Sequence, residues 1–171
     1  LAPINGDLLS TIHYITPSFL ELRTMNTELL IKQKKENKNG NIDFVNEDKL
    51  LKQEFGEVTD SSKRYLCALS KPILQEMHKE GIILVTLGGN GVAKLNLDNK
   101  NTNNVLIEMF PAVTLNAIKN TTGCGDSFVG GLSHGLLQGH NLEDCINIGV
   151  EVAALTAQSE GPVSKKIKAT N

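Results

Sequence analysis

Residues 119–131 read Lys-Asn-Thr-Thr-Gly-Cys-Gly-Asp-Ser-Phe-Val-Gly-Gly, and no other stretch limits so sharply what the chain can fold into. Gly123 and Gly125 bracket Cys124, Asp126 follows, and apolar residues then recur at helical spacing at Phe128, Val129, Leu132, Leu136 and Leu137. A glycine-rich loop that runs into a helix leaves backbone N–H groups unpaired at the positive end of the helix dipole, which suits an anion. Asp126 alone is ambiguous, because the dipole favours an acidic residue in any first helical turn by ~0.3–1 kcal/mol. Its flanks say more. Gly130, Gly131 and Gly135 fall inside the expected helix, where each costs ~0.8–1 kcal/mol relative to Ala, so close approach of a ligand or a neighbouring helix is expected. A carboxylate beside a ring of N–H groups suits phosphoryl transfer: the carboxylate takes the acceptor hydroxyl's proton while the amides hold the moving phosphoryl oxygens. The loop is not a Walker A loop, which needs a Lys-Ser/Thr pair after its glycines, and it lacks the Rossmann spacing.

Around this motif the pattern alternates. Residues 12–17 form a short β-branched and aromatic run stopped by Pro17, read as a buried strand. A helix follows over 18–32, with Ser18 as N-cap, Glu21 completing a capping box, and Phe19, Leu22, Met25, Leu29 and Leu30 on one face. Residues 32–62 read as a surface insertion, rich in Lys and Asn at 32–41 and carrying a short helix at 46–55. Two further helices are expected at 62–69 and 70–81, the second with Pro72 in its first turn and Gly81 at its end. Residues 82–92 are the clearest strand, leading into a Gly-Asn-Gly turn. Two more strands, 92–97 and 105–110, are separated by a polar loop at 98–104. The glycine motif then opens a helix ended by Gly139, and a last helix runs from its cap Asn141 to Gly161. Strands alternating with helices predict an α/β sheet with helices on both faces.

Bulk properties exclude several classes. At 171 residues, with 40% hydrophobic and 21% charged residues, the chain suits one domain with a real core. A formal charge of −2 and only 4% aromatic residues, with no Trp, argue against nucleic acid and anionic membrane as partners. Three widely spaced cysteines make neither a disulfide framework nor a zinc site, so a reducing, cytoplasmic setting is expected, an organelle being the other option. No apolar run reaches the ~20 residues that span a bilayer. The opening Leu1-Ala2-Pro3 carries neither an initiator Met nor a signal-peptide pattern, which is the pattern of a fragment.

The stretch Asn120–Gly131 closely resembles the signature of the ribokinase-like (PfkB) sugar and nucleoside kinases, usually Asp-Thr-Thr-Gly-Ala-Gly-Asp-Ser/Ala-Phe. Ile15–Glu21 resembles the family's Thr-Pro-Asn-x-x-Glu, Val85–Val92 its Thr-Leu-Gly-x-x-Gly nucleotide strand, and Ala153–Ser164 its closing helix and loop. The resemblance implies a three-layer α/β sandwich with a mostly parallel sheet, of which residues 1–171 are the C-terminal, nucleotide-binding part. It implies a kinase that uses ATP and Mg²⁺ on a hydroxyl of a small sugar or nucleoside. Asp126 would be the general base, with the backbone of Gly123, Cys124 and Gly125 as the anion hole. Thr86, Gly88, Gly89, Asn90 and Gly91 would line the ATP site together with Gly125 and Asp126. Glu21 would order water around Mg²⁺.

Three departures from the family pattern stand out. Asn120 replaces an Asp that in many relatives helps hold a monovalent cation, so a K⁺ site built with Thr122 and Ser164 would be weakened. Ser18 replaces the Asn of the Asn-x-x-Glu motif. The acceptor-binding N-terminal half and lid have no counterpart in these residues. "ITPSFLELRTM" resembles the pseudouridine-kinase branch, in which some eukaryotic members follow a pseudouridine-5′-phosphate glycosidase domain on the same chain; ribose or another sugar is the competing acceptor, and the oligomeric state is left open. The rivals are a non-catalytic nucleotide-binding or regulatory relative and an intramembrane aspartyl protease. The second shares Gly-x-Gly-Asp but needs several membrane spans. His13, His78, His134 and His140 lack metal-ligand spacing, and Cys67, Cys145, Met25 and Met77 read as core.

Overall fold

The computed structural model describes residues 6–36 and 58–167. In chain order these form α1 (Gly6–Leu9), β1 (Tyr14–Ile15), α2 (Phe19–Glu36), α3 (Asp60–Glu76), β2 (Ile82–Thr86), a 3₁₀ turn (Gly88–Asn90), β3 (Val92–Asp98), β4 (Asn101–Phe110), α4 (Cys124–Leu137) and α5 (Leu142–Ala157). They fall into two compact units, Leu1–Val85 with Ala93–Glu108 and Thr86–Val92 with Met109–Asn171. Of the expected insertion at 32–62, residues 32–36 continue α2 and 60–62 open α3. Residues 37–57, including the helix expected at 46–55, lie outside the described residues.

The first unit is built on a four-stranded sheet in the order β1-β2-β3-β4. β1 pairs with β2 in parallel, Tyr14 opposite Ile82 and Ile15 opposite Ile83. The connections from β2 to β3 and from β3 to β4 are too short for a parallel crossover, so those neighbours run antiparallel. Ile83, Leu84 and Val85 are all buried, because an inner strand meets protein on both faces. β1 is shorter than the run at 12–17 suggests: only two residues pair, and Tyr14 is exposed. The polar stretch 101–104 belongs to β4, and the loop expected at 98–104 shrinks to a two-residue turn in which the Lys100 N–H donates to Asp98 Oδ1 (2.9 Å). Pairing along β3 overrides the low strand propensity of those asparagines.

The helices expected at 62–69 and 70–81 are one continuous helix, α3, with Pro72 inside it. An interior proline costs about 3 kcal/mol. Leu66, Ile73 and Leu74 are buried along this helix, and each such side chain gains ~1.5–3 kcal/mol, which outweighs the break. Thr59 caps α3 by accepting the Ser62 N–H (3.2 Å). Asn26 on α2, itself buried, donates to the Leu69 carbonyl (2.8 Å) and ties the two helices together. Beyond α3 the chain turns through His78, whose carbonyl accepts the Gly81 N–H (2.6 Å) and whose ring stacks on His13 at 3.9 Å.

In the second unit α4 packs on α5, and two of the four glycines of α4 explain how closely. A Cβ on Gly131 would stand 2.9 Å from the Gly149 Cα, and one on Gly135 would stand 2.9 Å from Cys145 Sγ. Gly130 faces open space. Phe128, Leu132, Cys145 and Ile146 fill the interface. Gly139, with φ of 80°, ends α4. Asn141 caps α5 by accepting the Asp144 N–H (2.9 Å). α5 stops at Ala157, short of the expected Gly161. Among the described residues no helix is long and apolar enough to cross a membrane.

Candidate functional site

The glycine motif does open a helix, and its local geometry follows from Gly123. That residue is the N-cap of α4, with φ of 81°, a left-handed conformation that favours glycine. A Cβ there would lie 2.0 Å from the Pro162 carbonyl oxygen, so the loop after α5 presses directly on the turn. With no side chain, Gly123 caps nothing. The Cys124 N–H turns back to the Thr121 carbonyl (3.2 Å) and the Thr122 N–H is taken by Asn120 Oδ1 (2.9 Å). The N–H groups of Gly123, Gly125 and Asp126 have no acceptor among the described residues. The open donors at this end are therefore those three, and the Cys124 amide expected among the anion-hole donors is bonded to Thr121.

Asp126 is exposed in the first turn of α4, and among the described residues its carboxylate accepts no hydrogen bond and meets no cation. Gly125 is open, with nothing within 4 Å of where a Cβ would be. Cys124 is half-buried; burial pushes its thiol pKa up, and Sγ leans on the Asn120 carbonyl at 3.8 Å. A thiol held protonated is a poor nucleophile, so Cys124 serves as a small packing residue.

The approach to the loop is anchored at the C-terminal end of α5. The Ala157 carbonyl accepts the N–H groups of Lys119 (2.8 Å) and Asn120 (3.3 Å). Asn120 Nδ2 donates to the Glu160 carbonyl at 3.5 Å. Both ends of the Asn120 amide are thus engaged. Ser164 is buried and accepts the Lys166 N–H (3.3 Å), while Thr122 is exposed.

Thr86 ends β2, and the 3₁₀ turn Gly88–Asn90 follows, closed by Leu87 N–H to the Gly91 carbonyl (2.8 Å). Gly88 and Gly89 are exposed and open. Gly91 is not: it is buried, and a Cβ would lie 2.0 Å from the Phe110 carbonyl oxygen. The fold itself requires glycine there. The loops 86–91 and 120–126 belong to the same unit, whereas Glu21 belongs to the other. Glu21 Oε2 accepts the Ser18 N–H (2.7 Å) and hydroxyl (2.8 Å), and these bonds hold its carboxyl below the ordinary value.

Sequence reasoning missed Ser127 and Thr156. Their hydroxyls meet at 2.8 Å across α4 and α5, both buried. A hydroxyl at a core position of an otherwise apolar helix face was the signal available for each.

Residues 67–169, more than half of the chain, match the model of the pfkB family of carbohydrate kinases. The chain belongs to that family. Both glycine loops lie inside the matched stretch and Glu21 lies outside it. The chain is 30% identical over 105 residues to adenosine kinase of Saccharomyces cerevisiae, covering 60% of this chain and 29% of that one. It is 36% identical over 80 residues to ribokinase of Dictyostelium discoideum, covering 46% and 24%. Among solved structures, Arabidopsis thaliana ribokinase complexed with ribose and ATP superposes with a TM-score of 0.63 at 17% identity, and Thermotoga maritima ribokinase with one of 0.61 at 20% identity. The match covers 95% and 94% of this chain and 41% of each ribokinase, and it shows the ribokinase-like α/β fold. The pfkB-family chain thus spans under a third of the curated relatives it matches.

Proposed function

We propose that these residues are the nucleotide-binding part of a kinase that transfers the γ-phosphoryl group of ATP to a hydroxyl of a sugar or nucleoside. One observation carries the reading: at the N-terminus of α4, the open N–H groups of Gly125 and Asp126 stand beside a carboxylate with no partner among the described residues. Open amides at a helix N-terminus favour the phosphoryl oxygens and the charge that builds on them. An unpartnered carboxylate is available to take the proton of the attacking hydroxyl. Gly88 and Gly89 leave their backbone accessible to the nucleotide.

Mg²⁺ neutralises phosphate charge when it accompanies ATP. Glu21, the residue expected to order water around it, keeps one oxygen open: both Ser18 bonds fall on Oε2 and Oε1 accepts nothing among the described residues. The residues named for K⁺ do not fit a cation. Asn120 Oδ1 is already bonded and Nδ2 is a donor, so Asn120, Thr122 and Ser164 offer no convergent set of free oxygens.

For the acceptor we keep the wider class. The stretch that resembles the pseudouridine branch is largely spent on structure: Glu21 closes a capping box and Leu22 is core. The matched relatives are named for adenosine and ribose. The deciding assay offers ribose, adenosine, uridine and pseudouridine with Mg·ATP to the protein as the cell makes it. Asp126→Asn should then lower turnover on the preferred acceptor by ~10²–10⁴-fold while ATP still binds. Unchanged turnover removes Asp126 from the chemistry, and binding of ATP with no turnover on any acceptor favours a non-catalytic nucleotide-binding module.

A further inference from the structure

Ser127 follows Asp126, so the two side chains lie about 100° apart around the same helical turn. Ser127 is 7% exposed and its hydroxyl meets the fully buried Thr156 at 2.8 Å. Among the described residues neither hydroxyl has another side-chain partner. The turn they join has no side-chain cap, since Gly123 supplies none. What holds α4 at this end is its contact with α5 and with the loop that follows. Thr156 is the pivot of that region. Its carbonyl accepts both the N–H and the hydroxyl of Ser159 (2.9 Å each), which starts the turn toward Pro162. The next carbonyl, that of Ala157, holds Lys119 and Asn120.

We propose that Thr156 is a positioning residue: acting through the Ser127 hydroxyl, it sets the rotation of the first turn of α4 and so the direction of the Asp126 carboxylate and the open amides beside it. The proposal rests on the phosphotransfer reading. Both hydroxyls are buried and share one hydrogen bond, so removing one strands its partner and frees the turn to rotate. A general base displaced by a fraction of an ångström slows the chemical step more than it weakens nucleotide binding.

The test uses the protein as the cell makes it and Thr156→Val, which keeps the shape and removes the hydroxyl. We expect kcat to fall about tenfold with KM for ATP changed by no more than about twofold. Amide exchange at Cys124 and Ser127, whose N–H groups are held by the Thr121 and Gly123 carbonyls (3.2 and 2.9 Å), should quicken, while exchange at Ile146 and Val150 in the middle of α5 stays as in the wild type. Thr156→Ser, which restores a hydroxyl, should recover both properties. Ser127→Ala combined with Thr156→Val should cost no more than either change alone, because one pair is being removed. Wild-type kcat and exchange in Thr156→Val overturn the proposal, as do equal losses in Thr156→Ser. If Thr156→Val does not fold, Ser127→Ala is read by the same criteria. Asp126→Asn is run beside them. If it turns over like the wild type, Asp126 is not the base and the reading the proposal rests on fails, and the exchange data alone then decide whether Thr156 fixes the turn.

Discussion

The N-termini of α2 and α4 solve the same problem in opposite ways. Each must deal with backbone N–H groups that have no carbonyl one turn back. At α2 the Ser18 hydroxyl accepts the Glu21 N–H (3.3 Å) and Glu21 Oε2 accepts the Ser18 N–H in return, so the end is closed by its own side chains. At α4 the cap is Gly123, and the acidic residue of the first turn reaches back to nothing. An acidic first turn is therefore no sign of a site by itself. Glu21 is mainly structural and Asp126 is available, and the difference lies in what each carboxylate already holds.

The largest effect that could break this contrast is at Gly123. Gly123→Ala places a Cβ where φ is 81° and the Pro162 carbonyl oxygen is 2.0 Å away. The left-handed conformation alone costs ~1–2 kcal/mol, and the clash forces the loop after α5 outward. Thermal melting should show a loss of several kcal/mol on the order of other severe backbone changes. A stable variant with an unmoved loop would show that Gly123 is not what keeps this end uncapped.

Next in size is the closed end. Glu21→Ala removes the return bond of the capping box and should cost about 1 kcal/mol of stability. Its pH dependence has a definite sign. The Ser18 bonds hold the folded carboxyl below its ordinary value of 4.5, so the contribution is complete above that value and is lost as pH falls through the lower folded one. Wild type and Glu21→Ala should therefore converge in melting temperature as the pH drops below the carboxylate range. A gap that persists in acid would assign the effect to packing instead.

The contrast was only half visible in the sequence, for physical reasons. Ser18 with Glu21, Gly139 and Asn141 act within one turn of chain, and all four do what local rules expect. Gly131 and Gly135 were legible as close approaches, but only α5 shows that the neighbour is a helix. Features that depend on distant partners were hidden. Pro72 signals a break that burial of Leu66 and Ile73 overrides, and Asn101–Asn104 signal a loop that pairing turns into strand. At the site, Asp126 was legible as a candidate. That Gly91 is buried and that Ser127 meets Thr156 depend on contacts with segments far along the chain, whereas the Cys124 N–H is spent within its own turn, on Thr121.

Gly125 tests the open end with the fold held nearly constant. Nothing lies within 4 Å of where its Cβ would be, and it sits in the first turn of a helix. Gly125→Ala should stabilise the protein by up to ~0.8–1 kcal/mol, the difference in helix propensity. The added methyl also stands beside the open amides, so nucleotide affinity and turnover should fall. Greater stability with lower activity is the signature of a glycine kept for a ligand. Full activity in the stabilised variant would mean that the open face is merely unfilled.

The smallest expected effect concerns how the open end is held without a cap. Asn120 Nδ2 reaches the Glu160 carbonyl at only 3.5 Å, near the limit for a hydrogen bond. Asn120→Asp replaces that donor with an oxygen facing an oxygen, while the other oxygen can still accept the Thr122 N–H. In a medium whose only monovalent cation is too large to enter, the variant should lose roughly 0.5–1 kcal/mol, the worth of one modest hydrogen bond. Two oxygens drawn together with a negative charge are also what a bare monovalent cation seeks. K⁺ should restore the lost stability in Asn120→Asp, and turnover should become more responsive to K⁺ than in the wild type. If K⁺ leaves Asn120→Asp unchanged, the amide is only a tether for the loop.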